Sequence, residues 1–145
     1  MSRNNLLDLN VLIALLEPGH EHHQKVQNWF NSSRRGIFCV CPLTETGFVR
    51  LTANPSFRPG PRTVPHAIAV LQALKGHPDY LYMSIEKSWV ETTVRFARRI
   101  VGHQQVTDAY LLGLAISEDG ILVTFDKGIL HLAGQEFSRN VLVIE

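Results

Sequence analysis

Five short apolar runs, separated by segments of helical spacing, are the feature that most restricts the folds open to this sequence. The runs lie at residues 6–7, 37–41, 80–83, 121–125 and 141–144. Because they do not alternate strictly with polar residues, they are typical of strands that are buried on both faces. Strands that alternate with helices usually pair in parallel. The pattern therefore predicts an α/β fold with a five-stranded, mostly parallel sheet that helices flank on both faces.

The helices are predicted from apolar spacing and from the residues that begin or end them. They are expected at residues 11–16, 20–30, 42–51, 67–74, 89–100 and 107–117. Pro18 and Gly19 end the first helix, and Pro42 is placed to begin the third. Thr107 is predicted as the N-cap of the last helix, and the Pro- and Gly-rich residues 54–65 are predicted to form a loop.

Length and composition set the number of domains and exclude one class of protein. The chain has 145 residues, of which 45% are hydrophobic, so residues 1–145 are expected to form a single domain around one core. The net charge of +1 does not by itself indicate a nucleic-acid-binding protein, although a local basic surface remains compatible with it. No apolar stretch reaches 18 residues, so no membrane span is expected.

The N-terminal segment and the cysteines both indicate a cytoplasmic protein. Asp8 and Asn10 interrupt the apolar residues that would otherwise resemble a secretory signal, and no small-residue cleavage site follows. Cys39 and Cys41 are the only cysteines. Residues two apart in a strand are too tightly spaced for an ordinary disulfide. They are expected to be reduced packing residues in a reducing compartment.

Four acidic residues fall where predicted strands lead into helices or where a helix begins. Asp8 ends the first strand and Asp126 ends the fourth. Asp108 lies in the first turn of a helix, and Glu45 lies near the start of the helix that follows the second strand. Ligands of open parallel sheets bind beyond the carboxyl ends of the strands. The four carboxylates could therefore converge on one crevice at that edge.

Carboxylates that are brought together repel one another, and their pKa values rise unless a cation compensates. A metal ion is the simplest compensation. Ligands that are all oxygen suit hard ions such as Mg²⁺ or Mn²⁺, which bind through a few carboxylates, several waters and a substrate phosphate. Such an ion can polarise a phosphoryl oxygen and activate the attacking water.

Each acid also has a structural interpretation. Asp108 could serve only to stabilise a helix N-terminus, and Asp126, which precedes Lys127 and Gly128, could serve only to form a turn. Asp8 is harder to explain in this way, because a carboxylate that ends a buried strand needs a partner. Glu45 taken alone indicates little.

Four motifs that contain these acids resemble, in order, those of PIN-domain ribonucleases of the VapC toxin type. The first is Leu-Leu-Asp-Leu-Asn-Val-Leu-Ile-Ala at residues 6–14, and the second is Thr-Glu-Thr-Gly-Phe-Val-Arg-Leu at residues 44–51. The third is Val-Thr-Asp-Ala-Tyr-Leu-Leu at residues 106–112, and the fourth is Leu-Val-Thr-Phe-Asp at residues 122–126. Each motif is weak alone, but four in this order are fairly specific, and the likeness spans essentially the whole chain.

The resemblance implies a PIN-like fold and a divalent-metal-dependent endoribonuclease that uses Mg²⁺ or Mn²⁺. It also implies a homodimer and inhibition by a cognate antitoxin protein. The implied metal ligands and catalytic residues are Asp8, Glu45, Asp108 and Asp126, with Asn10 and Thr124 as residues that orient ligands or water. Some relatives carry a further acid after the last motif, where this chain has Lys127, Gly128 and Ile129, so a tightly held second metal is not implied.

The basic residues are assigned to different roles. His20, His22 and His23 lie where a helix begins, and a structural or surface role is favoured over a place in the acidic site. Arg95, Arg98 and Arg99 are interpreted as a solvated helix terminus. The candidates for contact with RNA phosphates, Arg50, Arg58 and Arg62, lie on and after the Glu45 helix, where they could offset the acids.

Two alternatives remain open at this stage. A phosphohydrolase of the haloacid-dehalogenase kind also carries an Asp after its first strand, but it would need a second Asp where Asn10 stands. A non-catalytic RNA-binding PIN module is the other alternative, against which the presence of all four acids argues.

Overall fold

A five-stranded sheet lies at the centre of the structure, a computed structural model that describes residues 3–32 and 35–145. The strands are β1 (Asn5–Leu7), β2 (Phe38–Val40), β3 (Tyr80–Tyr82), β4 (Ile121–Thr124) and β5 (Val141–Val143). Their order across the sheet is β3-β2-β1-β4-β5, and every pairing is parallel. The predicted α/β fold with a parallel five-stranded sheet is therefore confirmed.

Helices pack on both faces of this sheet. One layer contains α1 (Leu9–Leu16), α2 (His23–Phe30), α3 (Pro42–Thr52) and α4 (Val64–Lys75). The other contains α5 (Trp89–Thr93), α6 (Val106–Ser117) and α7 (Gly128–Ala133). No helix in the described part of the chain is both long and apolar enough to cross a membrane.

The two hydrophobic cores explain why apolar residues follow one another directly in the central strands. On β1, Leu6 packs into the core beneath α6 and α7, whereas Leu7 packs into the core beneath α1 to α4. On β4, Leu122 and Val123 divide in the same way. Since successive side chains of a strand point to opposite faces, a strand covered on both sides carries consecutive apolar residues instead of alternating ones.

The predicted helix at residues 89–100 is wrong in its extent. The α-helix ends at Thr93, and a separate 3₁₀ helix covers Ala97–Arg99. The hydroxyl groups of Thr92 and Thr93 donate to the carbonyls of Ser88 and Trp89, a side-chain pattern that weakens a helix interior. The β-branched residues of this segment also lower its helix propensity.

The starts of two further helices differ from the predicted ones, and one helix was not predicted. Helix α4 begins three residues early because the Thr63 hydroxyl accepts from the backbone N–H of His66. Helix α6 begins at Val106 after Gln105, which makes no side-chain cap, so Thr107 is not the N-cap. The sequence analysis did not predict α7, whose six residues are too few for a clear periodic pattern.

Candidate active site at the carboxyl edge of the sheet

Asp8 links the central strand to the first helix. It follows β1 directly, and its backbone N–H donates to the carbonyl of Val123 at 2.9 Å, which fixes it beside β4. It is also the N-cap of α1, because its Oδ1 accepts from the backbone N–H of Leu9 at 2.8 Å. The side chain is buried. The position is therefore set by both the sheet and the helix.

Thr124 connects Asp8 to Asp126. Its buried hydroxyl donates to Oδ2 of Asp8 at 2.7 Å and accepts from the backbone N–H of Asp126 at 3.0 Å. A hydroxyl can donate once and still accept, so both bonds form together. Asp126 is exposed, and its Oδ1 accepts from the backbone N–H of Gly128 at 2.8 Å. The end of β4 thus holds two acids in a fixed relation.

Asp108 completes a group of three acids that affect one another electrostatically. Burial, followed by the charges of Asp8 and Asp126, raises the pKa of Asp108 to about 6. Burial also raises the pKa of Asp8, the hydrogen bonds from Thr124 and Leu9 lower it, and the charge of Asp126 raises it again. Within residues 3–32 and 35–145, no Lys, Arg or His forms an ion pair with any of the three. Their negative charge is therefore not compensated by that part of the chain.

The donor set has the chemistry of a site for a hard divalent cation. Across the described ranges, however, no three His, Cys, Asp or Glu side chains are close enough to hold one ion together. Mg²⁺ usually binds through one or two carboxylates and keeps several of its waters. The three aspartates would fit that kind of site, with one or two of them as direct ligands.

Glu45 is the predicted ligand that the structure does not bring into this group. It lies in the first turn of α3, at the same edge of the sheet, but its Oε2 lies 3.8 Å from Nζ of Lys75. Its charge is not among those that shift the pKa of Asp8 or Asp108. Glu45 instead lines the groove between α3 and α4, where Lys75 of α4 is its ion-pair partner.

The remaining predicted site residues have different surroundings. Asn10 is exposed in the first turn of α1, two residues from Asp8. Arg50 lines the groove between α3 and α4, and Arg58 is exposed in the loop before α4. Arg62 forms an ion pair with the buried carboxylate of Glu17. The prediction of RNA contact by Arg62 is therefore not supported, because its guanidinium already neutralises a buried charge.

His20 and His23 contact the backbone through their rings, whereas His22 contacts another ring. Nδ1 of His23 is hydrogen-bonded to the carbonyl of Ala14 at 2.7 Å, and Nδ1 of His20 accepts from the backbone N–H of His22 at 3.0 Å. The ring of His22 lies against the ring of Phe125, 5.1 Å away between centroids. Sequence reasoning missed this contact, since no local pattern connects two residues so far apart in the chain.

The arginines at residues 95–99 were interpreted as a solvated helix terminus, and this is wrong for Arg99. Its Nη1 donates to the carbonyl oxygens of Leu132 and Ala133, at 3.3 and 2.9 Å. It therefore stabilises the C-terminus of α7, where a cation is favoured. Arg98 is exposed, and Arg95 lies over the ring of Phe137.

Comparison with known proteins gives consistent matches along almost the whole chain. The family model of the PIN domain matches residues 6–135. Ribonuclease VapC38 of Mycobacterium tuberculosis is 41% identical over 130 residues, which cover 90% of each chain. Ribonuclease VapC44 of Mycobacterium tuberculosis is 38% identical over 124 residues, which cover 86% of this chain and 87% of the relative.

Among solved structures, the crystal structure of VapBC2 from Rickettsia felis bound to a DNA fragment from their promoter has the same fold. The match has a TM-score of 0.61 and covers 98% of this chain and 99% of the other. The identity is 10%, so this likeness concerns the fold alone.

Proposed function

Because the chain belongs to the PIN-domain family, we propose that it is a metal-dependent endoribonuclease and the toxin of a VapBC-type toxin–antitoxin pair. Membership confirms the resemblance drawn from the four motifs, and it argues against the haloacid-dehalogenase alternative. The observation that carries the proposal is the group of three aspartates at the carboxyl edge of the sheet, whose charge no ion pair offsets within the described ranges. A cation and a phosphate can complete such a site.

Some residues of the chain would bind the metal ion, and others would orient its ligands or the attacking water. Asp8, Asp108 and Asp126 would hold Mg²⁺ or Mn²⁺, which when bound supplies charge neutralisation and lowers the pKa of an attacking water. Thr124 fixes the rotamer of Asp8 and the backbone at Asp126, so it acts through its neighbours. Asn10 is close enough along α1 to orient water, and Glu45 is assigned a secondary role at the rim.

The substrate is proposed to be RNA, bound at a phosphate. Arg50, in the last turn of α3, and Arg58, in the loop before α4, are exposed cations and are the retained candidates for phosphate contact from the sequence analysis. A basic residue of an antitoxin would inhibit the enzyme by satisfying the aspartates with bidentate hydrogen bonds, which would exclude the metal. A homodimer fits the exposed apolar residues Trp89, Val90, Val94 and Val106 around α5 and the start of α6.

The decisive experiment is cleavage of total RNA by the purified chain with Mg²⁺ or Mn²⁺, followed by mapping of the cleaved ends. We expect discrete cuts that stop in EDTA and are absent from the Asp126→Asn variant. The same RNA cleaved equally by that variant would indicate a contaminating nuclease. No cleavage with either metal, together with retained RNA binding, would favour the non-catalytic RNA-binding module.

The toxin assignment needs a separate experiment. Expression of the chain alone should slow growth in a manner that depends on Asp8, and co-expression with the small protein encoded beside it should restore growth. If the chain is harmless and no small protein copurifies from its native host, the toxin assignment fails even if the nuclease assignment holds.

A further inference from the structure

A pocket of about 450 Å³ lies where β4 and β5 end, next to the aspartates. Its lining residues are His22, Lys25, Phe125, Lys127, Ile144 and Glu145. The four that carry rings or positive charge, His22, Lys25, Phe125 and Lys127, are called here the His22–Phe125 pocket. The volume lies in the range of small-ligand sites. Neither the fold nor the acidic site requires cations at this place.

The pocket is continuous with the acidic site along the chain. Phe125 lies between Thr124, which bonds to Asp8, and Asp126. Phe125 packs with the core beneath α1 to α4, while Thr124 turns toward Asp8 on the other side. The end of β4 therefore separates the two features. Thr124 faces the acids, and Phe125 faces the pocket on the other side of the strand. Phe125 and Lys127, which line the pocket, are the chain neighbours of Asp126, so a polynucleotide bound at the acids would have its adjoining nucleotide beside the pocket.

The aromatic wall of the pocket offers a stacking surface. The rings of His22 and Phe125 lie 5.1 Å apart between centroids at an angle of 46°, and the His22 side chain is 40% exposed. His20 and His23 are held by backbone contacts, whereas among the described residues the one polar contact of the His22 ring is Glu21 Oε1, 3.6 Å away. Bases of single-stranded nucleic acid stack on aromatic side chains of this kind, without a requirement for one sequence.

Two lysines supply positive charge beside these rings. Within the described ranges, no carboxylate forms an ion pair with Lys25. Nζ of Lys127 lies 3.5 Å from Oε1 of Glu145, and both side chains are about three-quarters exposed, at 75% and 74%. An exposed pair of this kind contributes little, so a phosphate can replace the carboxylate. The rings and the cations together match a nucleotide.

We propose that the His22–Phe125 pocket binds the nucleotide adjoining the scissile phosphate of single-stranded RNA. Its base stacks on Phe125 and His22, and its far phosphate contacts Lys25 and Lys127. The inference rests on the proposed nuclease function and deepens it, because it places an RNA subsite on the α2 side of the edge. It also gives His22 a role in binding that the sequence analysis did not assign.

Binding of a short unstructured RNA oligonucleotide to the Asp8→Asn chain, followed by fluorescence anisotropy, tests the pocket without cleavage. Phe125→Leu should weaken binding about 5-fold to 10-fold, because stacking on one base is lost while apolar bulk remains. Lys25→Ala with Lys127→Ala should reduce the slope of log affinity against log salt by about 0.7, the value for one neutralised phosphate on a single strand. Glu145→Gln should tighten binding, since it removes the charge that competes for Lys127.

The matched control is Lys87→Ala with Arg98→Ala, which removes the same charge from the layer of α5 to α7. Both side chains are exposed there, and this double variant should change the salt slope much less than the lysine pair does. Melting temperatures of all variants show whether each is folded. Because Phe125 packs partly against the core, the lysine pair and Glu145→Gln keep the test valid if Phe125→Leu proves unstable.

Cleavage by chains that retain Asp8 separates the two proposals. The lysine double variant should raise KM with little change in kcat, as expected for lost substrate binding. If the parent chain cleaves RNA and the pocket variants match it in both affinity and salt slope, the pocket proposal is overturned and the nuclease stands. If the parent binds RNA through the pocket without cleaving it, the nuclease proposal fails and the pocket stands only as an RNA-binding surface. Absence of both binding and cleavage would refute both.

Discussion

The two ends of α1 carry buried carboxylates with opposite surroundings. Asp8 precedes the helix and Glu17 follows it, and each residue is only 5% exposed. Glu17 lies at the negative end of the helix dipole, and Arg62 neutralises it. From the part of the chain that the structure describes, the Asp8 carboxylate accepts hydrogen bonds from one hydroxyl and one amide N–H, and it interacts with the charges of Asp108 and Asp126. Arg62 supplies the cation at one end of α1, whereas the site proposed at the other end takes its cation from solution.

The largest expected effect is a loss of RNA cleavage when Asp8 is replaced but not when Glu17 is replaced. Asp8→Asn should reduce RNA cleavage at least about 100-fold, because a metal ligand is lost. In metal-free buffer the variant should be as stable as the parent or more stable, since repulsion among the acids is relieved. Glu17→Gln should cleave normally but lose about 1–2 kcal/mol of stability, because Arg62 loses its buried partner. Cleavage rates and urea unfolding measure the two effects, and reversed results would contradict the comparison.

The second effect concerns the hydroxyl that holds Asp8 in place. Thr124→Val should reduce cleavage about 10-fold to 100-fold, the usual cost of losing a group that orients a metal ligand. Thr124→Ser keeps the hydroxyl and should restore most of the activity. Single-turnover rates at saturating Mg²⁺ provide the measurement. Equal activities of the Val and Ser variants would show that the hydroxyl is not needed for orientation.

Metal binding should stabilise the end of α1 that lacks a cation. At about 100 times its dissociation constant, Mg²⁺ should add about 2.7 kcal/mol if it binds only the native state. The resulting rise in melting temperature should vanish in EDTA and in Asp8→Asn, but persist in Glu17→Gln. An equal rise in the Asp8→Asn variant would place the ion elsewhere on the protein.

A smaller effect is expected at Glu45, because this carboxylate already has Lys75 as its partner. Glu45→Gln should reduce cleavage less than about 10-fold, well below the loss in Asp8→Asn. The same assay should show Lys75→Met to be close to the parent. A loss at Glu45 as large as that at Asp8 would mean that the ion pair opens when metal and RNA bind, and that Glu45 joins the ligands.

The smallest effect is a dependence of stability on pH. The pKa of Asp108 is raised from 3.8 to about 6, so the metal-free native state binds this proton more tightly than the unfolded state does. Stability from this group is therefore complete below about pH 4 and is lost as the pH rises through about 6. The melting temperature of the parent, relative to Asp108→Asn, should fall across that window. A difference that rises with pH would contradict the raised pKa.

The sequence alone determined the sheet and three of the acids that lie at its edge. Short apolar runs and the helices between them are local features, and the parallel arrangement follows from their alternation. Asp8 and Asp126 directly follow buried strands, and Asp108 begins a helix, so each has a position that the pattern of a few neighbouring residues defines. Thr124 came only from the resemblance to a family, because its bond to Asp8 spans two strands.

Only the tertiary structure decided which charges are paired. Glu45 forms an ion pair with Lys75, and Arg62 forms one with Glu17, and the partners of each pair lie on different helices or loops. His22 contacts Phe125, which is also distant in the chain. The α-helix ends at Thr93, where the hydroxyls of Thr92 and Thr93 donate to backbone carbonyls one turn earlier. Apolar periodicity can be recognised within a short window of sequence. The partner of a charged or aromatic side chain instead depends on how elements that are distant in the chain pack together.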